Sequence, residues 1–238
     1  MLHLTINGKP IEVPEGTTIL EAARMNSIDI PSLCHLKDIN VIGSCRLCVV
    51  EVKGAKTLQA SCVTQVAEGM VVFTNSKIVR DCRKVLYELI LSDHDKDCLF
   101  CKRNQTCELQ KLGIQLGVER SRFEGERSTR KVDVSVSITR DLSKCILCRR
   151  CISVCNHIQG TGVLNVQNRG FKTEVSPSMN LPLGAVNCTF CGQCTVVCPV
   201  GALKETNSTE RVWGALNNPN VRTVVQVAPA VRVAIGEA

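Results

Sequence analysis

The arrangement of cysteines constrains this chain more than any other feature of its sequence. All but one of the 16 cysteines fall into four groups, and two groups share the same spacing of two, two and three intervening residues. Three thiolates placed three residues apart converge on one point, and the fourth ligates the site of the other run. The pattern predicts two interlocked [4Fe–4S] sites from Cys145, Cys148, Cys151, Cys155, Cys188, Cys191, Cys194 and Cys198.

The spacing also predicts which cysteines of the two runs share a site. Zinc sites use two separated pairs of ligands, so this spacing favours iron–sulfur clusters and a chain that carries electrons. Pro199 follows the second run, as is typical of two-cluster ferredoxins. We expect one cubane on Cys145, Cys148, Cys151 and Cys198, and the other on Cys188, Cys191, Cys194 and Cys155.

A third group lies near the N-terminus. A loop cysteine, a close pair and a distant fourth ligand are similar to the plant-type [2Fe–2S] arrangement, although the first gap is longer than usual. Gly43 and Ser44 precede the close pair and suit a loop whose amides approach inorganic sulfide. A structural zinc site is the alternative. The predicted [2Fe–2S] ligands are Cys34, Cys45, Cys48 and Cys62.

A fourth group contains three cysteines and a histidine. Three thiolates leave a cubane one ligand short, and His94 stands four residues before the first cysteine of the group. A lone histidine in such a position is usually a solvated side chain, but the missing ligand favours coordination here. We therefore expect a third [4Fe–4S] cluster on His94, Cys98, Cys101 and Cys107. Cys82 is left over and is expected to be a small buried apolar residue.

Local patterns predict the elements around the first group. Alternating residues on both sides of Asn7-Gly8 indicate a hairpin with a type I′ turn. The motif from Thr18 to Glu21 is a capping box that opens a short helix ending at Met25. Further strands are expected at Val49–Val52 and Met70–Thr74. Together these elements predict a β-grasp ferredoxin module.

Periodicity predicts three further elements. A helix is expected from Ser76 to Leu91, with its apolar face formed by Ile78, Cys82, Val85, Leu86, Leu89 and Ile90. Alternation predicts strands over Val132–Ile138 and Val221–Val227. The second strand has no sheet partner in the sequence, so we expect it to be covered by another protein.

These elements predict an α+β protein of several modules. The predicted order is a β-grasp [2Fe–2S] ferredoxin module, a small helical [4Fe–4S] module with one histidine and three cysteine ligands, a linker, a ferredoxin-like module with two [4Fe–4S] clusters, and a short C-terminal extension that docks on a partner. The expected bounds are 1–75, 76–118, 119–138, 139–206 and 207–238.

Composition limits the function classes. A formal net charge of +7 leaves the thiolates uncounted, and each oxidised four-cysteine cluster contributes about −2, so nucleic-acid binding is not expected. Neither a signal peptide nor a membrane-length apolar run is found, so we expect a cytoplasmic protein. Arg149 and Arg150 are expected to be solvated, with a docking patch for acidic ferredoxin as the alternative.

The order of the four groups resembles the N-terminal electron-input region of [FeFe] hydrogenases, and the large iron–sulfur subunit of complex I shares the first two modules. The segment from Thr223 to Glu237 resembles the opening of the [FeFe] hydrogenase catalytic domain. That family's hydrogen-activating cluster needs four further cysteines downstream of Ala238. The resemblance therefore implies the shortened electron-transfer subunit of an NAD(P)-linked, electron-bifurcating hydrogenase or related complex, not catalytic by itself.

The same resemblance implies partners. They are an NADH-binding flavin (FMN) subunit, a small [2Fe–2S] subunit and a separate catalytic subunit, for example of [NiFe] type, with ferredoxin as a further candidate. No catalytic side-chain pair or phosphate-binding glycine loop is found in the sequence, so we expect flavin and nucleotide chemistry elsewhere. Two alternatives are the N-terminal fragment of a full-length [FeFe] hydrogenase and a zinc-stabilised scaffold.

Ligation by His94 can be tested through the reduction potential. A neutral imidazole in place of a thiolate removes one negative charge and raises the potential of the cluster. We expect His94→Cys to retain the cluster and lower its potential, measured by a redox titration monitored by electron paramagnetic resonance (EPR). A titration without a downward shift would contradict ligation by this histidine.

Overall fold

The computed structural model describes residues 1–125 and 132–236. The strands are β1 (Leu2–Ile6), β2 (Lys9–Val13), β3 (Val49–Val52), β4 (Gln59–Ala60), β5 (Met70–Phe73), β6 (Val132–Val134), β7 (Ile138–Asp141), β8 (Asn165–Gln167), β9 (Glu174–Ser176) and β10 (Leu203–Glu205). The helices are α1 (Ile19–Met25), α2 (Lys77–Ser92), α3 (Glu108–Leu116), α4 (Arg150–Ser153), α5 (Gln193–Val197), α6 (Thr209–Leu216) and α7 (Pro229–Gly236). No helix in these ranges has both the length and the apolar character that a bilayer span requires.

The N-terminal sheet contains five strands in the order β2-β1-β5-β3-β4. Strands β1 and β2 form the predicted hairpin, with Ile6 opposite Lys9. Asn7 and Gly8 have φ values of 52° and 83°, as a type I′ turn requires, so the predicted turn is confirmed. Strand β5 then pairs parallel to β1 and antiparallel to β3.

Helix α1 begins at the predicted capping box. The Thr18 side chain accepts a hydrogen bond from the Glu21 amide, and the Glu21 side chain accepts one from the Thr18 amide. These bonds satisfy two amides at the helix start that have no partner inside the helix. The buried face of α1 packs with the sheet in one apolar core, which also contains Cys48 and Cys62.

Helix α2 occupies the predicted range within one residue, but its predicted core face is right only in part, at Leu86 and Ile90, which pack against the core. Ile78 and Leu89 are exposed, whereas Val79, Arg83 and Tyr87 are buried. The periodicity counted only apolar residues, and one of the residues that packs inward is an arginine, whose Nη2 donates to the Val49 carbonyl oxygen at 2.7 Å. Cys82, the one cysteine that belongs to none of the four ligand groups, lies on α2 and is half-buried, whereas it was expected to be buried.

The strand predicted over Val132–Ile138 is instead a hairpin. Strands β6 and β7 pair antiparallel, and β10 pairs with the other edge of β7. The Ser135 hydroxyl donates to the Ile138 carbonyl oxygen at 2.7 Å and accepts from the Ile138 amide at 3.1 Å. This side-chain bonding supplies an alternative to ladder pairing and turns the chain.

The predicted linker is described only in part, because residues 126–131 lie outside the described ranges. Before that gap, Arg122 forms an ion pair with Glu88 of α2, with Nη2 and Oε2 2.6 Å apart. The Ser121 hydroxyl donates to the carbonyl oxygen of the same glutamate. The first part of the segment is therefore tied to α2.

The chain divides into two compact units, Met1–Glu205 and Thr206–Ala238. The second unit contains α6 and α7. The prediction of a strand over Val221–Val227 is wrong, because residues 221–228 have no regular structure. A strand requires a paired neighbour, and none of the described residues of this unit forms one. The last residue of the segment compared with the hydrogenase domain, Glu237, lies outside the described residues.

The packing of α2 against α3 can be tested at Gly113. A Cβ at this position would lie 2.4 Å from the hydroxyl of Tyr87, which donates to the Leu109 carbonyl oxygen at 3.0 Å. We expect Gly113→Ala to lower the free energy of unfolding by about 1–3 kcal/mol, measured by urea denaturation. In a Tyr87→Phe background the same substitution should cost less, and an equal cost would contradict the proposed clash.

Candidate metal centres

The predicted [2Fe–2S] ligands meet at the edge of the N-terminal sheet. Cys34, Cys45, Cys48 and Cys62 are all buried, the third directly before β3 and the fourth shortly after β4. The Cys45 amide donates to the Cys34 sulfur at 3.5 Å. Hydrogen bonds from the thiols of Cys45 and Cys62 hold the pKa of Cys34 far below its usual range. Cys34 is therefore held in the anionic form that binds iron, while the same hydrogen bonds raise the pKa of Cys45 and Cys62.

The amides around this site agree with the expected loop geometry. Gly43 has a φ of 61°, and the Ser44 and Cys45 amides both contribute hydrogen bonds to the Cys34 sulfur. Amides directed at sulfur stabilise negative charge on a cluster and its ligands. The residues present fit a thiolate-held iron–sulfur group.

His94 and its three cysteines line a common cavity of about 470 Å³. The histidine is buried, and its Nδ1 has no hydrogen-bond partner among the described residues. Burial lowers the pKa of His94, so the imidazole is held neutral, which is the form that coordinates a metal. An unpartnered buried ring nitrogen beside Cys98, Cys101 and Cys107 fits the predicted ligand set.

A segment of the predicted ferredoxin-like module, which contains the two cysteine runs, closes this cavity. Gly201 also lines it, and a Cβ built on this glycine would lie 2.5 Å from the Cys101 sulfur. Only a residue without a side chain can approach the thiol this closely. Sequence reasoning missed Gly201, because nothing near it in the chain indicates contact with a cysteine 100 positions earlier.

The first four-cysteine site combines residues from both runs. One cavity is lined by Cys145, Cys148 and Cys151 of the first run together with Cys198 of the second. Burial raises the pKa of the Cys151 and Cys198 thiols, so leaving the thiolates inside without a cation would be costly. The structure thus brings together the four residues that the spacing predicts for this cubane.

The second four-cysteine site lies nearer to the solvent. Burial, and then the neighbouring thiols of Cys191, Cys188 and Cys155, raise the pKa of Cys194 to about 12. Cys191 is exposed and Cys155 is half-buried. The four predicted ligands are electrostatic neighbours, and their site has a more open side than the first.

The two runs have the same loop conformation. Four residues at matching positions share a left-handed φ: Leu147 (54°), Arg149 (61°), Phe190 (52°) and Gly192 (76°). The Leu147 amide donates to the Cys145 sulfur, and the Phe190 amide donates to the Cys188 sulfur, both at 3.4 Å. Three of the four are not glycine, so sequence alone did not indicate this conformation.

A buried asparagine joins the first group of ligands to the first run. The Asn40 Nδ2 donates to the Cys34 carbonyl oxygen at 2.7 Å and to the Cys148 carbonyl oxygen at 3.1 Å. Its Oδ1 accepts from the Ser153 hydroxyl at 2.6 Å. The ligand loops of two sites are thereby held against each other. The only sequence signal was a polar residue between two ligands.

Two arginines connect other pairs of sites. Arg103 donates to the Thr195 carbonyl oxygen at 2.8 Å, between the histidine-containing group and the second run. Arg149 is exposed as expected, but the expectation for Arg150 is wrong. Arg150 is buried and binds both carboxylate oxygens of Glu108 at 2.8 and 3.0 Å, which removes it from any solvated docking patch.

All 16 predicted ligands thus lie in four groups inside the first compact unit. No three His, Cys, Asp or Glu side chains in residues 1–125 and 132–236 meet at distances suited to a single ion. Cysteine thiols with directed amides, and one neutral imidazole, are the donor set that iron–sulfur clusters use.

Three families match successive parts of the chain. Residues 1–77 match a 2Fe-2S iron-sulfur cluster binding domain, and residues 83–122 match the NADH-ubiquinone oxidoreductase-G iron-sulfur binding region. Residues 144–202 match a 4Fe-4S dicluster domain. The chain therefore contains a 2Fe–2S domain and 4Fe–4S domains in a mixed α/β structure.

Individual proteins agree with these matches. The NADP-reducing hydrogenase subunit HndD of Solidesulfovibrio fructosivorans is 49% identical over 100% of this chain and 42% of its own length. Iron hydrogenase 1 of Clostridium pasteurianum is 38% identical over 100% of this chain and 42% of its own length. The chain spans between 24% and 42% of the length of the first curated relatives it matches.

A solved structure covers nearly the whole chain. One chain of an NAD⁺-reducing [NiFe]-hydrogenase in the H₂-reduced state is 30% identical, with a TM-score of 0.81. The match covers 87% of this chain and 88% of that chain. Similarity at this level extends beyond a shared fold to a common family.

The contact between Gly201 and Cys101 can be tested directly. We expect Gly201→Ala to displace the Cys101 thiol and cause loss of one four-iron cluster, about four iron atoms per chain, with a matching change in the EPR spectrum. Gly184→Ala is the control, because a Cβ there meets no atom within 4 Å. Equal iron content and identical spectra in both variants would show that this contact does not position the ligand.

Proposed function

Because this chain belongs to the family of iron–sulfur subunits of complex I-type oxidoreductases and NAD(P)-linked hydrogenases, we propose that it relays electrons through one [2Fe–2S] and three [4Fe–4S] clusters. Bound clusters supply reversible one-electron chemistry. The protein's own residues hold the clusters close together, exclude water from them and set their potentials.

The proposed ligands are those that the four groups contain. Cys34, Cys45, Cys48 and Cys62 hold the [2Fe–2S] cluster, and His94, Cys98, Cys101 and Cys107 hold the first cubane. Cys145, Cys148, Cys151 and Cys198 hold the second cubane, and Cys188, Cys191, Cys194 and Cys155 hold the third. The predicted modules at 1–75, 76–118 and 139–206 are part of the proposal, as is an extension at 207–238 that docks on a partner.

The observation that carries this proposal is direct contact between neighbouring ligand groups. Asn40 bonds to the carbonyl oxygens of two ligands from different sites, Cys34 and Cys148. Gly201 lies three positions after Cys198, a proposed ligand of the second cubane, and it lies against Cys101, a proposed ligand of the first cubane. When one residue contacts the ligands of two sites, the two sites are close enough to exchange electrons. A set of independent zinc sites would not require such sharing.

Relatives named as subunits of a hydrogenase and of an NADH-quinone oxidoreductase support a proposal of partner subunits. We propose that electrons pass between this chain and an FMN-containing NADH-binding subunit, a small [2Fe–2S] subunit and a separate catalytic subunit, as in a cytoplasmic hydrogenase complex that splits electron pairs between NAD(P) and ferredoxin. The open side at Cys191 suits exchange with a partner, because that ligand alone among the second run is exposed.

The proposal can be tested by metal content and spectroscopy. Anaerobically purified protein should contain about 14 iron atoms per chain and show one [2Fe–2S] signal together with [4Fe–4S] signals after dithionite reduction. Cys148→Ser should lose about four of these iron atoms. Cys82→Ser is the matched control and should lose none. Zinc in place of iron, or equal loss in both variants, would contradict the proposal.

A second candidate function has specific support. Two relatives, HndD and iron hydrogenase 1, match all of this chain with 42% of their own length. The same 238 residues would then be the electron-input region of a longer hydrogenase. Intact mass spectrometry of the protein from its native source tests this candidate, because it requires a polypeptide much longer than 238 residues.

A further inference from the structure

Arg150 is a buried cation at the junction of three ligand groups. It lies between Cys148 and Cys151 in the first run, on helix α4, and is only 6% exposed. Its partner Glu108 directly follows Cys107 of the histidine-containing group. The third group is the predicted [2Fe–2S] site. His35 directly follows its ligand Cys34, and the charge of Arg150 contributes to lowering the pKa of His35.

The ion pair with Glu108 does not cancel the charge of Arg150 inside the protein. The side chain of Arg150 is 7% exposed, whereas that of Glu108 is 45% exposed. Water screens the carboxylate much more strongly than it screens the guanidinium, so the field directed into the protein is positive. The Nε of Arg150 is buried and has no hydrogen-bond partner among the described residues.

A positive field has a definite effect on a neighbouring redox centre. Reduction adds an electron to a cluster that is already anionic, and a nearby cation stabilises that added charge. The effect should be largest at the site that Arg150 itself flanks. It should be smaller at the cubane site of Cys188, Cys191, Cys194 and Cys155, whose cysteines do not flank Arg150 in sequence.

We propose that Arg150 raises the reduction potential of the cubane held by Cys145, Cys148, Cys151 and Cys198, making this site a preferred electron acceptor at the junction. The inference rests on the proposed function, because it requires a cluster at that site. Arg150 acts through its charge and binds no iron itself.

The test is an EPR-monitored redox titration of the intact cluster-loaded chain. We expect Arg150→Met to shift the one-electron equilibrium of this cubane at least tenfold away from the reduced form, equivalent to a potential about 59 mV lower. The transition belonging to this site is identified as the one missing in Cys148→Ser. The transition missing in Cys191→Ser should shift less.

A second variant separates the effect of charge from a structural role. Glu108→Gln removes the opposing negative charge while Arg150 stays in place, so it should shift the same transition toward the reduced form. Arg150→Lys keeps the charge and should restore most of the wild-type potential. General loosening of the site would not produce shifts of opposite sign in the two partners of one ion pair.

The control is Arg169→Met, which removes the same charge from an exposed position. An equal shift in this control would overturn the proposal, as would an unshifted Arg150→Met titration or a downward shift in Glu108→Gln. If Arg150→Met fails to assemble its clusters, the sign of the potential shift in Glu108→Gln decides whether the charge of Arg150 raises the potential of this cubane. Wild-type protein without iron would instead refute the proposed function, and the two failures are therefore distinguishable.

Discussion

Buried sulfur ligands from distant parts of the chain have to meet around shared cavities, and the first compact unit is organised by this requirement. Cys198 joins the three leading cysteines of a run some fifty residues earlier, and Gly201 lies against Cys101. Burial raises the pKa of several of these thiols, so the folded chain favours a bound cation over bare thiolates. Since aromatic residues make up only 3% of the sequence, cysteines occupy core positions that large side chains hold elsewhere.

Polar side chains inside the protein carry the contacts between these cavities. Asn40 satisfies two backbone carbonyl groups from different ligand loops, and Arg150 is paired with Glu108. A buried polar group without partners is costly, so each of these residues fixes the relative position of the loops it bonds. The same groups that hold the sites together also set the electrostatic field around them, which links the packing of the fold to its redox chemistry.

Local sequence predicted the local structure well. The Asn7-Gly8 turn, the Thr18 capping box and the position of α2 depend on residues within a few positions of one another, and all three are confirmed. Part of the core face of α2, the β6–β7 hairpin and the tail around Val221–Val227 were predicted wrongly. The α2 face and the tail depend on partners that are distant in the chain or absent from the described part of the unit. The hairpin depends on the nearby Ser135 side chain, whose bonds to Ile138 a period-two pattern does not include.

The sequence alone determined the kind of chemistry, because cysteine spacing is short-range and defines which thiolates can converge. It also pointed to His94 as the ligand that completes a set of three cysteines. Only the tertiary structure brought Gly201 onto Cys101, placed Asn40 between two ligand loops and buried Arg150 beside Glu108. Those contacts join residues about 40 to 110 positions apart, and no local rule of spacing or periodicity reaches that far.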